Sequence, residues 1–165
     1  MCELPVFLWG QKEERTPTWY GLFAEQRPEL GLNGEAYASV DVLQHAWTGN
    51  WPSQRAPIVT TLLLDGKNPA DNVTLGAGQQ VSVNASASDE NGDTLTYVWE
   101  VLVEASQLGN GGSSEPRPDT VPNTVSGSGA QVMLTAPSPG QYRVYVYALD
   151  GHGGIASANF PFRVQ

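Results

Sequence analysis

The chain has 165 residues, too few for a complete (β/α)8 barrel of about 250 residues but enough for one ordinary domain, or a small domain with a fragment attached. Its net charge of −9 argues against nucleic acid, whose phosphates need a basic surface to release counterions, and against an anionic membrane surface. Charged residues make up only 15%, while 18 Gly and 12 Pro point to many turns. No apolar run reaches the roughly 18 residues of a membrane span, and no basic stretch followed by an apolar one opens the chain, so neither a span nor a signal peptide is expected. The single Cys2 rules out an internal disulfide.

Four of the five tryptophans, Trp9, Trp19, Trp47 and Trp51, precede residue 52, and the composition then shifts to Gly, Ser, Thr and Val. Residues 4–9 form a short apolar run ended by Gly10, the pattern of a strand buried on both faces. A turn-rich segment follows. From 34 to 47, Tyr37, Val40, Leu43 and Trp47 recur at three- and four-residue spacing and predict one face of an amphipathic helix, stopped by Gly49, Asn50 and Pro52. Residues 1–52 therefore read as a βα unit, 53–56 as a linker between prolines, and 57–165 as a second domain. A lone βα unit cannot bury both faces of its strand, so something else must cover it.

Beyond the linker the pattern alternates with a period of two, which predicts a mainly β fold of seven short strands. The predicted strands include 58–64, 79–87, 94–103, 130–136, 141–149 and 155–164. In 94–103, Leu95, Tyr97, Trp99, Val101 and Val103 share the inward face; in 141–149, Tyr142, Val144, Val146 and Ala148 do. That parity puts Tyr145 and Tyr147 on the opposite face, expected to be exposed. Pro161 lacks an N–H and marks its strand as one paired on one side only. Residues 107–123, rich in Gly, Ser and Pro, read as an inserted loop.

The acidic Gly turn leading from Ala87 to Trp99, with the Pro139-Gly-Gln-Tyr142 entry and the Asp150-Gly-His-Gly-Gly154 hairpin, resembles the polycystic-kidney-disease-type (PKD) immunoglobulin-like modules of secreted bacterial proteins. The resemblance covers roughly residues 57–165 and implies a β-sandwich that serves as a spacer or as a carbohydrate or protein contact module, extracellular, periplasmic or at the cell surface. The longer insertion at 107–123 departs from that pattern. Residues 7–23 and 41–52 resemble the closing strand and helix of barrel-type secreted glycoside hydrolases. That likeness implies that Trp9 stands where a barrel's active site lies, that the catalytic carboxylates belong to earlier strands, and that the chain alone is inactive.

Trp9, Trp19, Tyr20 and Trp51 are candidate sugar-stacking residues, because an aromatic face packs against the C–H face of a pyranose; the alternative is that they pack the strand to the helix. Tyr145 and Tyr147 are further candidates for contact with polysaccharide. Asp89, Asn91, Asp93 and Asp150 are candidate ligands for Ca2+ across neighbouring loops, the alternative being that they build the turns. An EF-hand starting at Asp89 is excluded, since Thr94 stands where the sharp turn needs Gly. Glu13 and Glu14, adjacent in sequence, are poorly suited to face each other across a glycosidic bond, and Glu13 is expected to pair with Lys12 or Arg15. No cofactor is required by these residues. The expected partner is a polysaccharide or a neighbouring catalytic domain; a purely structural or adhesive spacer is the other reading.

Overall fold

The computed structural model of the protein describes residues 8–18, 21–110, 113 and 115–165. In chain order it has the short strands β1 (Gln26–Arg27), β2 (Leu32–Asn33) and β3 (Ala36–Tyr37), the helix α1 (Ala38–Thr48), and then β4 (Ile58–Leu64), β5 (Thr74–Leu75), β6 (Gln80–Ser88), β7 (Thr96–Val103), β8 (Val125–Ser126), β9 (Gln131–Thr135), β10 (Gly140–Leu149) and β11 (Gly154–Val164). Beyond the linker the described residues thus hold six long strands where the alternation placed them, plus two of two residues each, in place of the seven expected. Two-residue pairings leave too little periodicity to be read from sequence.

Strands β1 and β2 pair with each other, and the remaining strands form two facing sheets. One runs β4-β6-β9-β8; the other runs β3-β11-β10-β7, with β5 added beside β11. Between them lies a core of Leu62, Leu64, Val81, Val83, Val101, Val132, Leu134, Val144, Val146, Phe160, Phe162 and Val164, drawn from alternate positions because successive strand residues point to opposite faces. Trp99 packs against this core and donates its indole N–H to the carbonyl of Gly129 at 2.9 Å, while Tyr142 donates to the carbonyl of Ser138 at 2.9 Å. Tyr142 is thereby buried and Trp99 partly buried without leaving a polar atom unpaired. Val103, expected inward, is exposed instead: it ends β7, where the chain leaves the sheet for the insertion. Pro161 pairs across to Arg143 of β10, and on its other side β3 and β5 reach only the two ends of β11.

The first fifty residues depart most from expectation. Residues 4–7 of the expected opening strand lie outside the described residues, and Leu8, Trp9 and Gly10 are not in a strand. The helix is present, ending where Gly49 takes a left-handed conformation at φ 76° and closes the last turn on the His45 carbonyl. Its one buried residue, however, is Asp41, while Val42 and Trp47 are exposed. Asp41 accepts from the amide of Ala56 at 2.8 Å and from Arg55 at 3.3 Å, pinning the start of the helix to the segment that leads into β4. Meanwhile β3 adds in parallel to Gly154 and Ile155 of β11, and residues 22–37 lie over the face of that sheet turned away from the sandwich core.

Candidate functional site

Alternation along β10 sends Tyr145 and Tyr147 outward, as expected, but they are not exposed. They are 1% and 2% accessible, packed with Leu102 and Ile155 of their own sheet against Ala24, Leu32, Leu30 and Tyr37 of the N-terminal segment. The exposed tyrosines expected at these two positions are thus corrected to buried ones. A second apolar layer covers them, and a sequence that reads strand by strand does not show which distant segment will lie on top. Burial pushes both phenols above their ordinary range, with nearby Glu100 adding to the effect.

Under this cover sits a cluster of charges. Glu100 of β7 is buried; Arg117 of the insertion reaches its two oxygens at 2.9 and 2.8 Å, and Tyr147 donates to it at 2.9 Å. Arg117 also bonds Glu25 at 2.9 Å, and Arg27 Nη1 stands 3.7 Å from Glu25 and 3.9 Å from Glu100. The forked guanidinium thus joins insertion, cover and sheet in one contact, a geometry for which arginine is suited. Glu115 accepts from the amides of Arg15 and Gly109 at 2.7 and 2.8 Å, and these bonds lower its carboxyl below the usual value. The ion pair expected for Glu13 is replaced: Lys12 pairs with Glu14 at 2.7 Å, and both Glu13 oxygens are buried with no hydrogen-bond partner among the described residues. Its carboxyl is pushed up to about 7, first by burial and then by Glu25, with Arg117 opposing.

The aromatic candidates separate into different settings. Trp19 and Tyr20 lie outside the described residues. Trp51 is 45% exposed, but its ring stacks on His45 at 4.1 Å and 1°, and the Arg55 guanidinium lies 3.9 Å from its centroid. Those partners engage the ring within the chain. Trp9 is 63% exposed and Trp47 51%. The two rings lie 6.4 Å apart at 19° to each other, and Phe23 meets Trp9 edge-on at 5.7 Å. Trp47, expected on the apolar face of the helix, stands next to its last residue and is exposed there.

At one end of the sandwich each acidic loop is held by its own turn. Asp89 Oδ1 accepts from the amides of Asn91 and Asp93 at 2.8 and 3.1 Å, and Asp150 Oδ1 accepts from His152 and Gly154 at 2.7 and 2.9 Å. Asn91 bonds the Arg55 amide at 2.8 Å and the Ser53 carbonyl at 2.7 Å, tying this turn to the linker. Asp89 and Asp150 thus accept from their own turns, whereas Asn91 and Asp93, the latter accepting from Gln54 at 3.3 Å, bond the linker; among the described residues no three His, Cys, Asp or Glu side chains are grouped so as to hold a metal ion. Also among the described residues, no helix is long and apolar enough to cross a membrane.

No curated protein matches the chain. Among solved structures, a nucleoside hydrolase-related hypothetical protein from Saccharophagus degradans, described as associated with carbohydrate metabolism, shares 20% identity at a TM-score of 0.44, covering 78% of this chain and 31% of that one. Domain 1 of VCBP3 from Branchiostoma floridae shares 13% identity at a TM-score of 0.35, covering 67% of this chain and 96% of that one. The chain therefore spans less than a third of the first of these proteins. The PKD domain pattern matches residues 68–160, from the turn before β5 into β11. With more than half of its length matched and its strands arranged as two facing sheets, the chain belongs to the PKD domain family, whose domains are non-catalytic and immunoglobulin-like.

Proposed function

We propose that the chain is the accessory portion of a secreted carbohydrate-active protein, holding a neighbouring catalytic domain of glycoside hydrolase type on polysaccharide through Trp9 and Trp47. The observation that carries this reading is the pair of exposed, nearly parallel indoles. Keeping two such rings in water forgoes the burial that would stabilise them by about 1.5–3 kcal/mol each, which selects for a ligand that covers them. A pyranose offers that cover through its C–H face while its hydroxyls stay hydrated. The chain itself turns over no glycoside on this reading, in which Glu25 and Glu100 are committed to Arg117 and the catalytic acids belong to the neighbouring domain. Placement outside the cell accords with the family, whose domains are typically extracellular.

Affinity electrophoresis through gels containing soluble glucans, xylans and mannans tests this. Retardation is expected in at least one gel and should disappear in the double variant Trp9→Ala, Trp47→Ala, while Tyr145→Phe leaves it unchanged. Unretarded migration across the panel would overturn the contact role. One observation favours a spacer as the second reading: β3 is built into the sheet of the sandwich and Asp41 is bonded to Ala56, so a domain attached ahead of residue 22 would be held through a stiff joint.

A further inference from the structure

Residues 8–18 form a strap along the outer face of the covered sheet. At one end the Gly10 carbonyl accepts from the amide of Leu22 at 2.9 Å, and Trp9 rests on Phe23 and Trp47. At the other, the Arg15 amide donates to Glu115 in the insertion, and Thr16 and Pro17 are buried. Arg15 holds φ 62°, a conformation that a residue with a Cβ adopts reluctantly, so the turn there is maintained by what surrounds it. Between the two anchorages Glu13 turns its carboxyl into the protein, where neither oxygen has a hydrogen-bond partner among the described residues. We propose that the strap is latched by one proton on Glu13: it lies closed while that carboxyl is neutral and lifts when it ionises.

The charges around Glu13 set the sign. From the cover come Glu25 and Arg27, from β7 Glu100, from the insertion Glu115 and Arg117, from β10 Tyr145 and Tyr147, and from the strap itself Lys12, Glu14 and Arg15. Lys12 is bound to Glu14, and Arg117, the cation that acts on Glu13, is already shared by Glu25 and Glu100, so a new negative charge on Glu13 meets the three carboxylates of Glu25, Glu100 and Glu115 and only a shared guanidinium to offset them. An ionised group in that position is stabilised by moving into water, which takes the strap with it. The carboxyl ionises near 7 in the closed strap instead of at 4.5, so closure takes up a proton. Its stabilising effect is complete below about 4.5 and is lost as pH rises through 7. The two indoles of the proposed glycan contact would part with the strap; that consequence, unlike the latch, rests on the function proposed above.

Hydrogen exchange at the amides of residues 8–18, expressed as protection relative to the unstructured chain at each pH, reads the latch directly. Wild type should lose protection by roughly tenfold or more between pH 5 and pH 8, with β10 unaffected. Glu13→Gln, an uncharged isostere, should hold the strap closed at every pH, and Glu90→Gln, which removes an exposed carboxylate paired with Arg55 at the loop end, should behave as wild type. Protection that does not change with pH in wild type, or a response that persists in Glu13→Gln, overturns the proposal. If Glu13→Gln loses protection in β10 as well, NMR titration of carbon-13-labelled Glu13 in wild type decides: a midpoint near 7 supports the latch and an ordinary carboxylate midpoint overturns it. Because exchange needs no glycan, failure of the latch and failure of sugar binding are separate results.

Discussion

The two faces of the β7-β10-β11 sheet are both buried, and they are buried in different ways. The inner face meets another sheet through valine, leucine and phenylalanine, with each strand supplying every second residue. The outer face meets a cover of short strands and loops through Tyr145, Tyr147, Leu102 and Ile155, with the carboxylate of Glu100 and the guanidinium of Arg117 at its margin. Apolar packing has no dependence on ionisation and tolerates no missing volume. A layer fastened by charge-assisted hydrogen bonds depends on every member being paired, and so can be tuned by single protons. The sandwich is therefore the permanent part of the molecule and the cover the adjustable one.

Three measurements would break or sharpen that contrast. The largest effect is expected inside: Phe160→Ala removes a fully buried ring and should cost about 3–5 kcal/mol in urea unfolding, with the same loss at pH 5 and pH 8. A pH-dependent loss would show that the inner core is coupled to the charges outside it. Next comes Arg117→Ala, which strands the buried Glu100 and should cost about 3 kcal/mol. The double variant Arg117→Ala, Glu100→Gln should recover part of that loss; an equal or greater loss would mean that the cover is held by apolar contact instead of the ionic cluster. The smallest effect is expected at the loop end. Millimolar calcium or a chelator should leave Tm unchanged, since Asp89 and Asp150 spend an oxygen on their own turn amides. A rise in Tm with calcium would show instead that these loops rearrange into a metal site.

Much of the sandwich can be read directly from the chain because each strand writes its own parity: Val81, Val83 and Ala85, or Phe160, Phe162 and Val164, are inward wherever the partner strand comes from. The helix and its stop at Gly49 are local in the same sense. The outer face carried a trace as well, since Val98 and Leu102 flank Glu100 on the side shared with Tyr145 and Tyr147, more apolar than a solvated face needs. What that trace lacked was the identity of the cover. Leu32 and Glu25 are separated from β7 and β10 by much of the chain, and nothing in their own neighbourhoods announces the meeting.

The amino-acid sequence alone determined the alternating strands, the turn residues between them and the family to which they belong, because these depend on neighbours a few positions away. Only the tertiary structure decided that two tyrosines expected in water are buried, that Glu13 stands without the partner expected for it, and that Trp9 comes to rest beside Trp47. Each of those outcomes depends on which surfaces remain uncovered after the strands have paired, a property of the whole packed chain that no local spacing encodes.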